Sequence, residues 1–140
     1  ILLGNGSDEL IQLLALACNE GDLIMSFEPS FVMYEMVSRY AHLKYHGIKL
    51  DSNFDINLSE SIAAINSKNP KLIFIAYPNN PTGNAFDYDA IVEIIRSTDA
   101  LVVLDEAYYA YSDRSFLSEI DCCKSHDKAL LRLNLIHPIS

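Results

Sequence analysis

The fold is decided by one stretch in the middle of the chain, Lys71-Leu72-Ile73-Phe74-Ile75-Ala76-Tyr77-Pro78-Asn79-Asn80-Pro81-Thr82-Gly83. Its first part is a continuous apolar run after one lysine, which is typical of a strand that is buried on both faces. Its second part collects Pro, Asn and Gly, which are the natural residues of turns. The stretch therefore predicts a buried strand that ends in a polar loop.

A second continuous apolar strand is predicted at Leu101-Val102-Val103-Leu104, and shorter or weaker strands at residues 23–25 and 43–50. Apolar residues at helical spacing and capping signals predict four helices, one before the first strand and three between the strands. The first is expected at residues 9–19 with Ser7 or Asp8 as its cap, and the second ends at about residue 40. The third runs from the cap Asn57 to about residue 66, and the fourth follows the cap Asp87. This alternation predicts an α/β fold, with a mostly parallel sheet and helices on both faces.

Composition narrows the class of function. The 140 residues carry 10 Lys+Arg and 19 Asp+Glu, a net charge of −9, whereas nucleic acids and anionic membranes bind basic faces. We therefore expect no nucleic-acid and no membrane partner, and the sequence has no apolar run of the ~20 residues that a membrane span needs. The three cysteines form neither a disulfide framework nor a zinc motif, which favours a reducing, cytoplasmic setting and no metal site.

Ligands of parallel α/β sheets bind outside the carboxyl ends of the strands, and residues 28–31, 77–83 and 105–109 are expected there. Asn79 and Asn80 are expected to offer amide donors over this crevice, with an ordinary turn as the alternative. Asp105 could hold a protonated ring nitrogen, because a nearby opposite charge favours the charged form. The alternatives for Asp105 are a solvated strand end or a metal-binding pair with Glu106.

A glycine-containing loop, Gly4-Asn5-Gly6-Ser7-Asp8-Glu9, leads into the first helix. Free N–H groups at a helix start can hold an anion, although a plain helix cap with flexible glycines explains the loop equally well. The third glycine of a dinucleotide-binding fingerprint is absent. Tyr34 is interpreted mainly as helix packing, with a place at the site as the alternative, and Tyr109 and Tyr111 as core or surface residues.

Four motifs occur in the order and spacing of a known family: Gly4-Asn5-Gly6-Ser7-Asp8-Glu9-Leu10, Pro29-Ser30-Phe31-Val32-Met33-Tyr34, Pro78-Asn79-Asn80-Pro81-Thr82-Gly83 and Asp105-Glu106-Ala107-Tyr108. In them the chain resembles the pyridoxal-phosphate (PLP) aminotransferases of fold type I, and among these the histidinol-phosphate aminotransferases. The resemblance implies an incomplete large domain of that fold. Residues 1–132 would be a partial PLP-binding large domain, and residues 133–140 a tail that does not match.

The resemblance implies roles for six cofactor-binding residues. The backbone of Ser7 and Asp8 would bind the cofactor phosphate, and Phe31 would stack on the pyridine ring. Asp105 would pair with the pyridine nitrogen and keep it protonated, which supports the ring as an electron sink.

The other two residues would bind the opposite edge of the ring. Asn80 would donate a hydrogen bond to its phenolic oxygen, and Tyr108 would assist. The Asn80–Pro81 peptide bond is expected to be cis by the same resemblance.

The resemblance also implies a catalytic lysine after a strand that begins here with Leu130-Leu131-Arg132. No lysine follows Lys128 in the sequence, and Lys128 precedes that strand. We therefore expect no catalytic residue in this chain and no transamination by the chain alone, because the reaction needs that amine. We also expect exposed sheet edges and association.

The family transfers an amino group between histidinol phosphate and 2-oxoglutarate in histidine biosynthesis, and a homodimer is implied. Three alternatives stay open. One is another PLP-dependent aminotransferase or an enzyme like threonine-phosphate decarboxylase. The second is a non-catalytic remnant that keeps the motifs. The third is an S-adenosylmethionine methyltransferase-like domain, in which Gly4-Asn5-Gly6 and Glu28 would bind the cofactor.

Overall fold

A parallel sheet forms the centre of the molecule. The structure, a computed structural model, describes residues 3–112, 114–116 and 130–133. In the described residues the sheet has five strands, β1 (Leu23–Glu28), β2 (Lys44–Lys49), β3 (Leu72–Ala76), β4 (Leu101–Asp105) and β5 (Leu130–Leu133). Their order is β2-β1-β3-β4-β5, and every neighbouring pair is parallel. The predicted α/β class and the parallel sheet are confirmed.

One helix, α1 (Ser7–Leu16), precedes β1. The described elements between the strands are α2 (Met33–Tyr40), α3 (Leu58–Lys68), α4 (Tyr88–Ser97) and the short 3-10 turn Tyr109–Tyr111. α2, α3 and α4 each connect two parallel strands, as such connections require.

Side chains alternate between the two faces of the sheet and meet different helices. On β3, Phe74 belongs to the cluster that contains Ile11 of α1, whereas Ile73 belongs to the cluster that contains Ile91 of α4. α2 joins the first cluster and α3 the second. Burial on both faces explains why β3 and β4 read as continuous apolar runs. The predicted placement of helices on both faces is confirmed.

Two predicted caps form as expected. The Asn57 side chain accepts a hydrogen bond from the Glu60 N–H at 3.3 Å, and the Asp87 side chain accepts one from the Ala90 N–H at 2.8 Å. A short polar side chain before a helix satisfies one of its free N–H groups, so these starts are decided locally. α3 runs two residues beyond its predicted end and stops before Asn69, which has a φ of 48°.

The predicted start of α1 is wrong. The helix begins at Ser7 and ends at Leu16, and Gly6 is its N-cap, with no side-chain capping bond. Gly6 has φ 85° and ψ 176°, a conformation essentially restricted to glycine. Neither Ser7 nor Asp8 is therefore the cap, because both already lie within the helix.

No helix within residues 3–112, 114–116 and 130–133 is long and apolar enough to cross a membrane. Over the same residues, no cluster of three or more His, Cys, Asp or Glu side chains is placed to hold a metal ion.

Candidate functional site

The carboxyl ends of the central strands and the start of α1 surround a cavity of about 280 Å³. The structure brings all six predicted site residues together at its wall: Ser7, Asp8, Phe31, Asn80, Asp105 and Tyr108. They come from four separate segments, the start of α1, the loops after β1 and β3, and the end of β4 with the loop after it. The three loops meet because parallel strands present their carboxyl ends at the same edge of the sheet. Tyr34 also lines this cavity.

Asp105 is the last residue of β4, and its carboxylate is buried at the cavity wall with only 4% of the residue exposed. Its Oδ2 accepts a hydrogen bond from the Tyr34 hydroxyl at 2.9 Å, and its Oδ1 accepts one from the Ala107 N–H at 3.1 Å. Burial raises the pKa of Asp105, the Asp8 carboxylate adds to the rise, and these two hydrogen bonds oppose it. A cation placed in the cavity would therefore find a fixed, poorly solvated carboxylate.

Tyr34 has a larger part in the site than the sequence interpretation gave it. It is completely buried, and its ring is stacked on Phe74 with 4.8 Å between the ring centroids. Burial, and then the neighbouring Asp105 carboxylate, raise the pKa of Tyr34 well above its ordinary value, so its hydroxyl stays a donor. One signal was available in the sequence. Tyr34 lies three residues after Phe31, a spacing that within a predicted helix places two side chains on one face.

The two asparagines after β3 have different roles. Asn80 is half-buried and lines the cavity, and its side-chain amide makes no hydrogen bond to another described residue. Asn79 is 2% exposed, and its amide nitrogen donates to the Pro29 carbonyl and to Thr82 Oγ1. The prediction that both amides face a ligand is therefore wrong for Asn79, which joins two loops instead.

The peptide bond between Asn80 and Pro81 is cis, as expected from the resemblance. The bonds preceding Pro29 and Pro78 are also cis.

The start of α1 contributes backbone groups to the cavity wall. The first N–H groups of a helix have no partner within the helix and carry a partial positive charge. Ser7 and Asp8 are at this position, and no side chain caps it. The Asp8 side chain is exposed and acidic, so it does not suit an anion, whereas the backbone N–H groups at this helix start do.

Aromatic groups lie on two sides of the site. Phe31 is half-buried and meets the Tyr34 ring edge-on at 5.7 Å and 86°. Tyr108 is 48% exposed and lines both this cavity and a neighbouring one that Tyr111 also lines. Tyr111 is 84% exposed and Tyr109 is 42% exposed, so both are surface residues.

Glu106 is completely buried and does not line the cavity. Its carboxylate accepts hydrogen bonds from the Phe116 N–H at 3.0 Å and the Ser115 hydroxyl at 3.4 Å. These contacts fix the segment after β4, and they do not support a metal-binding pair of Glu106 with Asp105.

Lysines are absent from the wall of this cavity as far as residues 3–112, 114–116 and 130–133 define it. The predictions for Lys128 and for the tail at 133–140 lie largely outside the described residues. Leu130–Leu133 does form a strand, parallel to β4, where the resemblance places one.

The comparisons with known proteins agree with this geometry. The family model for aminotransferase class I and II matches residues 1–131. A histidinol-phosphate aminotransferase of Vesicomyosocius okutanii is 61% identical over 120 residues, which cover 86% of this chain and 34% of that protein. The chain thus spans about a third of the length of this relative.

Solved structures show the same fold. A putative histidinol-phosphate aminotransferase from Erwinia carotovora atroseptica is similar at a TM-score of 0.79 and 25% identity, over 95% of this chain and 40% of that one. The histidinol-phosphate aminotransferase of Sinorhizobium meliloti was solved in complex with pyridoxal-5'-phosphate. It is similar at a TM-score of 0.67 and 23% identity, over 75% of this chain and 29% of that one.

The methyltransferase alternative finds no support. Glu28, which that alternative assigns to cofactor binding, forms an ion pair with Lys49 at 2.7 Å and does not line the cavity. The family match accounts instead for all four sequence motifs, since each lies within residues 1–131. The chain belongs to the class I and II aminotransferase family.

Proposed function

We propose that this chain forms the PLP-binding part of an aminotransferase that transfers an amino group between histidinol phosphate and 2-oxoglutarate. The observation that carries the cofactor assignment is the buried Asp105 carboxylate, which is held by two hydrogen bonds at the wall of the cavity. The 61% identical relative, a histidinol-phosphate aminotransferase, supports the substrate class.

The residues present suit a phosphorylated pyridine. Asp105 supplies a carboxylate for a ring cation, and Asn80 supplies an amide with no other described partner. Phe31 supplies an aromatic face, and the start of α1 supplies N–H groups for an anion. The volume of about 280 Å³ lies near the lower end of small-molecule sites, which run from ~300 Å³.

The chain's own residues would orient and charge the cofactor. PLP, when bound, supplies an electron sink for the reaction. Asp105 would keep a proton on the ring nitrogen, because its buried carboxylate gains most from a neighbouring positive charge. Asn80 would donate to the phenolic oxygen with help from Tyr108, and the N–H groups of Ser7 and Asp8 would bind the phosphate.

We propose that the chain does not transaminate by itself. The reaction requires an amine beside the cofactor, and among the described residues no lysine lines the cavity. Turnover of the whole protein can be measured with histidinol phosphate and with other amino donors. This comparison would separate the proposed activity from those of related aminotransferases and decarboxylases.

We propose a homodimer for the whole protein. Large apolar side chains are exposed beside the cavity, and Tyr108 and Tyr111 are 48% and 84% accessible. Exposed apolar groups clustered near a site are typical of protein interfaces. Sedimentation velocity on the chain should show concentration-dependent association, and a monomer at all concentrations would count against this proposal.

The cofactor proposal is tested by equilibrium dialysis of the 140-residue chain against PLP, with S-adenosylmethionine as the competing hypothesis. Asp105→Asn should weaken PLP binding about 30-fold or more, because truncating one partner of a buried charge pair costs ~2 kcal/mol or more. Asp89→Asn removes an exposed carboxylate at the start of α4 and should leave PLP affinity unchanged. Binding of S-adenosylmethionine in place of PLP would overturn the proposal.

A further inference from the structure

We propose that Tyr34 is a positioning residue, which holds the Asp105 carboxylate ionised and correctly oriented for a protonated ring nitrogen. The inference rests on the proposed function, since it concerns the same cavity. Tyr34 lies in α2, and its hydroxyl donates to Asp105 Oδ2 at 2.9 Å across a separation of 71 residues in sequence. The contact joins the helix that follows β1 to the end of β4.

The Asp105 carboxylate is held from two directions. Tyr34 binds one oxygen, and the Ala107 N–H, two residues further along the chain, binds the other at 3.1 Å. Two bonds to different oxygens fix both the position and the rotation of the carboxylate plane. A carboxylate has about four lone-pair sites, so both oxygens can still accept a further hydrogen bond from a ligand.

The Tyr34 ring is itself immobilised. It lies parallel to Phe74, with 2° between the ring planes and 4.8 Å between the centroids. The Phe31 ring packs edge-on against it at 5.7 Å. No part of Tyr34 is exposed to solvent, and its hydroxyl donates to Asp105 Oδ2. The same ring therefore supports two wall residues, Asp105 by a hydrogen bond and Phe31 by packing.

The hydroxyl also affects the charge of the carboxylate. Burial favours the neutral acid of Asp105, and the exposed Asp8 carboxylate acts in the same direction. The hydrogen bond from Tyr34 favours the ionised form, because a donor stabilises the charged acceptor. Without the hydroxyl, a larger fraction of Asp105 would be neutral, and a neutral acid offers no opposite charge to a ring cation.

Tyr34→Phe isolates this role, because it removes the hydroxyl and keeps the ring that packs on Phe74. Two probes are used on the full chain: PLP, and the PLP analogue in which a CH group replaces the ring nitrogen. We expect Tyr34→Phe to weaken PLP binding about tenfold, the usual effect of losing a hydrogen bond to a charged group. Binding of the analogue should be unchanged, since it has no ring nitrogen for Asp105 to bind.

Tyr45→Phe is the matched control. Tyr45 is a half-buried tyrosine of β2, and its hydroxyl contacts Ser26 Oγ at 2.7 Å and not Asp105. It should leave the affinity for both probes unchanged. If Tyr34→Phe weakens both probes equally, or neither, then Tyr34 is only a packing residue and the inference is overturned.

A second readout does not depend on the cofactor. Titration of the Asp105 carboxyl by carbon-13 NMR in the cofactor-free chain should show a higher pKa in Tyr34→Phe than in the wild type. An unchanged pKa would overturn the inference. If the wild type binds neither probe, the proposed function fails, and this titration still decides whether Tyr34 controls the charge of Asp105.

Discussion

Ser30 and Asn79 connect the loop after β1 to the loop after β3, since the Ser30 hydroxyl donates to Asn79 Oδ1 at 2.9 Å. The Asn79 amide nitrogen returns a hydrogen bond to the Pro29 carbonyl at 3.0 Å and donates another to Thr82 Oγ1 at 2.7 Å. The flanking residues Phe31 and Asn80 both line the cavity. One buried amide therefore fixes the spacing between two walls of the site.

We expect Asn79→Ala to destabilise the fold by about 1–3 kcal/mol, because it leaves buried polar partners without a hydrogen bond. It should also weaken PLP binding by separating the two loops. Urea denaturation measures the stability. Asn53→Ala, at an exposed turn position, is the control and should unfold like the wild type. An unchanged midpoint for Asn79→Ala would show that the loops hold their spacing without this amide.

The stability of the cofactor-free chain should depend on the charge of Asp105. Burial raises its pKa in the folded state, so the folded protein binds this proton more tightly than the unfolded chain does. The contribution of Asp105 to stability is therefore present below its unfolded pKa of about 3.9, and it is lost as pH rises through the higher folded value.

Asp105→Asn has no such charge to bury. Its stability relative to the wild type should therefore increase as pH rises from about 4 toward neutrality. Thermal unfolding of both proteins at several pH values measures this difference. A difference that stays constant with pH would contradict the assigned direction of the Asp105 pKa.

Asp87 stabilises the start of α4 by accepting a hydrogen bond from the Ala90 N–H at 2.8 Å. Asp87→Ala should cost about 0.5–2 kcal/mol of stability, the usual effect of losing an N-cap side chain. Asp87→Asn keeps an acceptor at the same position and should recover most of the loss. Urea denaturation measures the stability of each protein. If Asp87→Ala is as stable as the wild type, the cap contributes nothing here.

The absence of a lysine from the described cavity wall gives a chemical prediction. PLP bound to the 140-residue chain should not form a stoichiometric covalent adduct on borohydride reduction, and mass spectrometry measures this. Turnover of histidinol phosphate by the purified chain should be undetectable. Turnover that disappears in Lys128→Ala would show instead that this lysine supplies the amine.

Much of the fold follows from local sequence patterns. The apolar runs of β3 and β4 require burial on both faces, and the caps Asn57 and Asp87 act through bonds to residues three positions away. Other elements do not follow in this way. β2 reads Lys-Tyr-His-Gly-Ile-Lys and has a weak pattern, because it lies at the edge of the sheet and only its Ile48 is buried.

The sequence by itself determined that the loops after β1, β3 and β4 reach the cavity, because the loop after each strand of a parallel sheet must emerge at the same edge. Only the tertiary structure decided what each side chain does there. Asn79 and Asn80 are adjacent and chemically identical, yet one joins two loops and the other lines the cavity. Tyr34 meets Asp105 only because α2 packs on the face of the sheet beside β3 and β4. Local patterns cannot encode such a contact, since its geometry depends on how distant elements pack together.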